Sequence, residues 1–128
     1  METTQPIVLI VDDSPESIDV LRGVLGTDYR VCVAINGTRA LEIAPSVKPD
    51  VILLDVMMPE MDGWQVLKIL KGDERTRNIP VAMLSARAER RDKMIGLQEG
   101  AESYIAKPFS TAEVVREVTN LLNRPVPG

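Results

Sequence analysis

The sequence predicts an open, doubly wound α/β domain, a parallel sheet covered by helices on both faces. Two observations carry this. Five short apolar runs, Ile7–Val11, Val31–Ala34, Val51–Leu54, Val81–Leu84 and Tyr104–Ala106, alternate with five stretches of amphipathic helical character. Strands separated by helices make parallel crossovers. In addition, the first and third runs are continuously apolar and rich in Val and Ile, the composition of strands buried on both faces.

The helices carry their own start and stop signals. The first opens Ser14-Pro15-Glu16, a capping hydroxyl, a proline at the first helical position and an acid beside the positive helix end. Ile18, Leu21 and Leu25 then share one face, and Gly26 stops it. The second starts at Asn36, carries Ala40, Leu41 and Ala44, and is expected to end or kink at Pro45. The third follows Asp62-Gly63, with Leu67 and Leu70 inward and Gly72 behind it. The fourth, over Glu89–Glu99, is the weakest: it begins with the charged run Glu89-Arg90-Arg91-Asp92-Lys93 and holds an interior Gly96, which costs about 1 kcal/mol relative to alanine. The fifth opens Ser110-Thr111-Ala112-Glu113, a capping-box pattern, followed by Val114, Val118, Leu121 and Leu122 at helical spacing.

The 128 residues suit one domain, expected over residues 1–123, with Arg124-Pro125-Val126-Pro127-Gly128 as a linker or frayed end. A hydrophobic share of 45% supplies a core, and 27% charged residues give a soluble surface. Fifteen basic against 19 acidic residues leave a net charge of −4, which does not favour a nucleic-acid surface. No apolar run approaches the ~20 residues needed to span a bilayer, and Met1–Gln5 is too short and polar for a signal peptide. Cys32 is the only cysteine, which excludes an internal disulfide and suits a reducing cytoplasm. Histidine is absent, so Ser-His-Asp and Cys-His nucleophile schemes and most zinc sites are excluded.

In doubly wound sheets, sites form at the carboxyl ends of the strands. The first strand ends in Asp12-Asp13, the third in Asp55 and the fourth in Ser85, and the fifth leads into Lys107-Pro108. Each residue alone reads as ordinary. An aspartate after a strand is a turn former or cap, Ser85 a turn residue and Lys107 a solvated lysine. Together they are three carboxylates, one hydroxyl and one ammonium on one rim. Crowded acids raise one another's pKa unless a cation offsets them. Hard oxygen ligands in that number suit Mg2+. A lysine opposite the metal supplies a point charge for a phosphoryl group, and a carboxylate beside Mg2+ is a nucleophile toward phosphorus.

Over nearly its whole length the chain resembles the receiver domain of bacterial response regulators, the phosphoacceptor domains of two-component signalling. The matching features are Val11-Asp12-Asp13, Leu53 through Asp55 to Pro59, Met61-Asp62-Gly63, Leu84-Ser85-Ala86, Gly100-Ala101, and Tyr104 through Lys107-Pro108-Phe109. The separations match too: 42 residues from Asp13 to Asp55, 30 from Asp55 to Ser85 and 22 from Ser85 to Lys107.

The resemblance implies a flavodoxin-like, five-stranded sheet in the order 2-1-3-4-5 with five helices. It implies that Asp55 accepts the phosphoryl group from the phosphohistidine of a sensor histidine kinase or a phosphotransfer protein. Asp13, Asp55 and the main-chain carbonyl of Met57 would ligate Mg2+, and Asp12 would hold metal-bound water. Ser85 would donate to the phosphoryl oxygen and Lys107 pair with it. Tyr104 would turn inward from solvent as Ser85 moves. The residues two beyond the acceptor and two beyond the hydroxyl, Met57 and Arg87, would tune how long the phosphoryl group survives. A cis Lys107–Pro108 bond is expected, as is signalling through the face of the fourth helix, fifth strand and fifth helix, where a second copy could dimerise. A C-terminal effector domain could follow. On this reading the chain is no enzyme beyond catalysing its own phosphorylation and dephosphorylation.

Three rivals stand beside it. A haloacid-dehalogenase-type phosphohydrolase would use a second acid where Met57 stands. A nucleotide- or flavin-binding module would use a glycine-rich turn where Asp12-Asp13-Ser14-Pro15 stands. A receiver that binds a partner without being phosphorylated would have no need of the intact acidic trio, Ser85 and Lys107.

Overall fold

The computed structural model describes residues 5–85 and 100–124. Within them the chain forms β1 (Ile7–Val11), α1 (Pro15–Leu25), β2 (Arg30–Ala34), α2 (Gly37–Val47), β3 (Val51–Asp55), α3 (Gly63–Gly72), β4 (Val81–Ser85), β5 (Ser103–Ala106) and a C-terminal helix (Thr111–Leu122). The strands are all parallel, in the order β2-β1-β3-β4-β5. This is the doubly wound sheet expected, in the order the resemblance implied. The expected fourth helix, Glu89–Glu99, lies outside the described residues, as do Arg87 and residues 125–128.

The continuous apolar runs behave as their composition requires. Val8 to Val11 and Val51 to Leu54 are fully buried, and strand alternation divides their side chains between two cores. Leu9, Val11, Ile52 and Leu54 pack with Ala40 and Ala44 of α2 and Val66, Leu67 and Leu70 of α3. Val8, Ile10, Val51 and Leu53 pack with Leu21 and Leu25 of α1 and Val114, Val118 and Leu121 of the C-terminal helix. Each such side chain contributes about 1.5–3 kcal/mol of burial, so both faces of β1 and β3 hold the rim at their carboxyl ends rigid.

The caps form at the residues that signal them. Ser14 Oγ accepts from Ser17 N at 3.3 Å, Asn36 Oδ1 from Arg39 N at 2.8 Å and Ser110 Oγ from Glu113 N at 3.3 Å. A full reciprocal box closes at Asp62 and Gln65, with both bonds at 3.0 Å. Two expected ends differ. Helix α2 does not stop at Pro45 but runs on to Val47. Proline there removes only the donor to the Leu41 carbonyl, and the last turn still closes through Lys48 N to Ala44 O at 2.9 Å. Gly72 is the last residue of α3, not the first beyond it, and Asp73 caps the end.

The far end of the sheet is tied down as well. Lys71 Nζ donates to the carbonyls of Arg77 (3.2 Å) and Ile79 (2.9 Å) and to Glu102 Oε1 (2.7 Å). The other Glu102 oxygen accepts from Val81 N at 2.6 Å. The end of α3 is thereby joined to the starts of β4 and β5.

Candidate functional site

Strand register assembles the rim. Val11 pairs with Leu54, so the next residues, Asp12 and Asp55, fall side by side. Asp55 pairs with Leu84 and Ser85 with Ala106, which sets Ser85 beyond Asp55 on one neighbour and Lys107 one step further along the next. The three carboxylates of Asp12, Asp13 and Asp55 each present an oxygen within 4.8 Å of the others. Asp12 is fully buried and Asp55 nearly so, whereas Asp13 is exposed.

Among the described residues, one ammonium answers them. Lys107 Nζ lies 3.0 Å from Asp12 Oδ2 and 3.4 Å from Asp55 Oδ1. Asp12 Oδ1 also accepts from Ser14 N at 2.9 Å, and Asp55 Oδ1 from Met57 N at 3.3 Å. These partners do not fully compensate the central acid. Burial, and next the charge of Asp12, push the Asp55 carboxyl up to about 6, against the opposing pull of Lys107 and the Met57 N–H. The donors are hard oxygens, with one ligand on the solvent side and excess negative charge among them. That set fits a hard divalent cation that keeps part of its water shell.

The loop around Asp55 is held by close packing. Gly63, the first residue of α3, comes so near β3 that a Cβ there would lie 2.2 Å from the Asp55 carbonyl oxygen. Only glycine permits that approach. Gly63 N also donates to Val56 O at 2.9 Å. Between them, Glu60 takes a positive φ of 68° and Met57 turns outward, 74% exposed. The Lys107–Pro108 bond is cis, as expected.

The sequence-derived site residues thus fall into four groups. Asp12, Asp13, Asp55 and Lys107 come together around one centre, which Met57 joins through its N–H to Asp55. Ser85 lies buried at the end of β4, its carbonyl accepting from Lys107 N at 2.8 Å. Tyr104 lies on β5, away from the acidic trio. The residue is half-buried and packs on the α2–α3 core, with its ring centroid 6.4 Å from that of Trp64. Arg87 lies outside the described residues. Sequence reasoning missed three contributors: the close approach at Gly63, Trp64 as neighbour of Tyr104, and Phe109, whose ring centroid lies 5.7 Å from Lys107 Nζ. The first had a signal in Asp62-Gly63 at a helix start, and the third in an aromatic two residues from a functional lysine.

The sequence profile of the response regulator receiver domain matches residues 8–119. The chain belongs to this family. It is 40% identical over 120 residues to the DNA-binding dual master transcriptional regulator RpaA of Synechocystis sp., a match covering 93% of this chain and 50% of that protein. Its fold superposes with a TM-score of 0.90 on a putative response regulator from Chloroflexus aurantiacus, at 35% identity, covering 94% of this chain and all (100%) of that one. The receiver domain of a sensor histidine kinase from Pseudomonas aeruginosa PAO1, which has a magnesium ion coordinated in its active site cleft, superposes with a TM-score of 0.86 at 30% identity, covering 94% and 100% of the two chains. This receiver spans about half or less of the length of the curated relatives it matches. Among its described residues no helix is long and apolar enough to cross a membrane.

Proposed function

We propose that this receiver takes a phosphoryl group onto Asp55 from a phosphohistidine on a sensor histidine kinase or phosphotransfer protein. The observation that carries the reading is the convergence, among the described residues, of the carboxylates of Asp12 and Asp13 and the ammonium of Lys107 on a nearly buried Asp55 at the end of the central strand. With its pKa near 6, Asp55 is mostly ionised at neutral pH and available as a nucleophile. Its carboxylate oxygen forms the new bond to phosphorus as the P–N bond breaks, and the electron pair stays on the departing imidazole. Phosphoryl transfer depends mainly on charge placed around the equatorial oxygens. Lys107 is 3.4 Å from the attacking carboxylate and can follow the phosphoryl group without leaving the rim. Ser85, at the end of the adjacent strand, supplies a hydroxyl donor. Mg2+, held by Asp13, Asp55 and the Met57 carbonyl, with Asp12 reaching it through water, would supply the second positive charge. No separate substrate is turned over.

The signal then leaves through β5. Movement of the Ser85 hydroxyl toward the phosphoryl group opens space along β4, and Tyr104, paired with Met83 next to it, shifts in response. The surface so altered includes β5 and the C-terminal helix, where a partner or a second copy reads the state. A joined or separate effector carries the output, and the setting is the cytoplasm.

Incubation with acetyl phosphate and Mg2+ tests the assignment. The intact mass should rise by one phosphoryl group, and chelation of the metal should abolish the rise. A wild-type protein that stays unmodified under these conditions is a partner-binding receiver and not a phosphoacceptor.

A further inference from the structure

We infer that Phe109 is a positioning residue for the Lys107 ammonium: its ring face keeps the charge over the rim when the Asp12 and Asp55 carboxylates are engaged elsewhere. The inference rests on reading the rim as a phosphoacceptor site. Lysine is a flexible four-carbon stem with about 2 kcal/mol of rotamer entropy, so its head group stays in place only where partners hold it. The described partners of Lys107 Nζ are Asp12 at 3.0 Å, Asp55 at 3.4 Å and the Phe109 ring at 5.7 Å from its centroid. The two carboxylates belong to the acidic trio itself. A cation bound there neutralises them, and a phosphoryl group on Asp55 consumes one of the oxygens. Their hold on the lysine therefore changes at the stages when its position matters. The ring carries no ionisable group, and its attraction for an ammonium is unaltered by what the carboxylates bind.

The ring is also well anchored. Phe109 is half-buried and packs against the core between the sheet, α1 and the C-terminal helix. It precedes the Ser110 cap, whose Oγ accepts from Glu113 N, and Val114, four residues beyond that cap, is fully buried in the same cluster. These are the two positions of a hydrophobic staple, which fixes the angle at which the chain enters a helix. One side chain thus serves two purposes: its apolar bulk seats the C-terminal helix, and its π-face seats the lysine.

The two roles separate by substitution. Phe109→Leu and Phe109→Met keep an apolar staple and remove the ring, whereas Phe109→Tyr keeps both. The readouts are 13C relaxation of the Lys107 ε-carbon, assigned by its loss in Lys107→Arg, with saturating Mg2+, and the rate of Asp55 labelling by acetyl phosphate. In wild type and Phe109→Tyr the ε-carbon should remain ordered with Mg2+ bound. In the Leu and Met variants it should become as mobile as a surface lysine, and labelling should slow about two- to fivefold, the ratio that a cation–π contact of ordinary strength represents. A purely structural role would alter helix stability and leave Lys107 ordered. Equal Lys107 order and equal labelling in Phe109→Leu and wild type would therefore overturn the inference. If wild type takes no phosphoryl group, it is the phosphoacceptor reading that falls, and the relaxation comparison still decides the role of Phe109.

Discussion

Replacing Gly63 with alanine would drive a methyl group into the backbone that carries the acceptor. The new Cβ would lie 2.2 Å from the Asp55 carbonyl oxygen and 2.9 Å from both the Asp55 carbonyl carbon and Val56 Cα. Ordinary contact begins near 3.4 Å, so α3 must retreat by about 1.2 Å or β3 must distort. All three atoms are backbone, so no side chain can swing aside. Overpacking of this kind costs about 1–3 kcal/mol. Stretching the Gly63 N to Val56 O bond, now 2.9 Å, adds about 1 kcal/mol. For a domain of this size the total lowers the melting temperature by roughly 10 °C. The matched control lies at the other end of the same helix. A Cβ on Gly72 meets nothing within 4 Å, so Gly72→Ala should be neutral or stabilising by up to about 1 kcal/mol. Urea unfolding of both variants measures the difference, and phosphoryl uptake should slow only in Gly63→Ala. Stability of Gly63→Ala within about 0.5 kcal/mol of wild type, or an equal loss in Gly72→Ala, would refute the argument.

Three more expectations follow from the same geometry. Because the folded-state pKa of Asp55 is raised to about 6 from 3.8, the folded state binds its proton more tightly; in chelator, its contribution to stability should increase as pH falls through 6 toward 3.8, with most of the gain between those two values. Asp55→Asn should flatten that rise and add about 2–3 kcal/mol at pH 7.5, and an unchanged pH profile in this variant would count against the strained acid. Mg2+ should raise the melting temperature of wild type by mass action, and Asp13→Asn should shrink that rise; thermal scans with and without the ion would show a metal sited elsewhere if the rise persists in full. Trp64 is the only tryptophan and lies 6.4 Å from Tyr104, so phosphorylation should change its emission. Ser85→Ala and Tyr104→Ala should accept the phosphoryl group and lose most of that change, and full retention in both would place the switch elsewhere.

The fold was legible because its signals are local. Continuous Val-Ile runs mark strands buried on both faces, and β1 and β3 are fully buried as that pattern demands. Ser14, Asn36 and Ser110 cap where short polar side chains precede apolar periodicity. The rim was legible for a topological reason. In a parallel sheet every strand ends on the same edge, and in the order 2-1-3-4-5 the strands that end in acids, β1 and β3, are neighbours. What was not legible depends on distances between elements. Gly63 reads as an ordinary helix start, and only the approach of α3 to β3 reveals why no side chain is tolerated. Pro45 reads as a stop, yet a proline in the last turn costs a single bond, and the tertiary packing of Ala40 and Ala44 carries the helix past it. The Lys71–Glu102 pair joins residues 31 apart in sequence, and neither residue carries a local mark of it. Tyr104 could be named as a switch from its place in the motif, but its half-buried seat against Trp64 depends on where α3 lies.

The central claim is that Asp55 itself takes the phosphoryl group, and mapping the bond tests it most directly. The protein is treated with acetyl phosphate and Mg2+, reduced with borohydride, which converts an aspartyl phosphate to homoserine, and digested for peptide mass spectrometry. The account predicts homoserine at position 55 and unmodified aspartate at Asp12 and Asp13. Conversion at Asp12 or Asp13, or at no aspartate while the intact mass still rises, would contradict it.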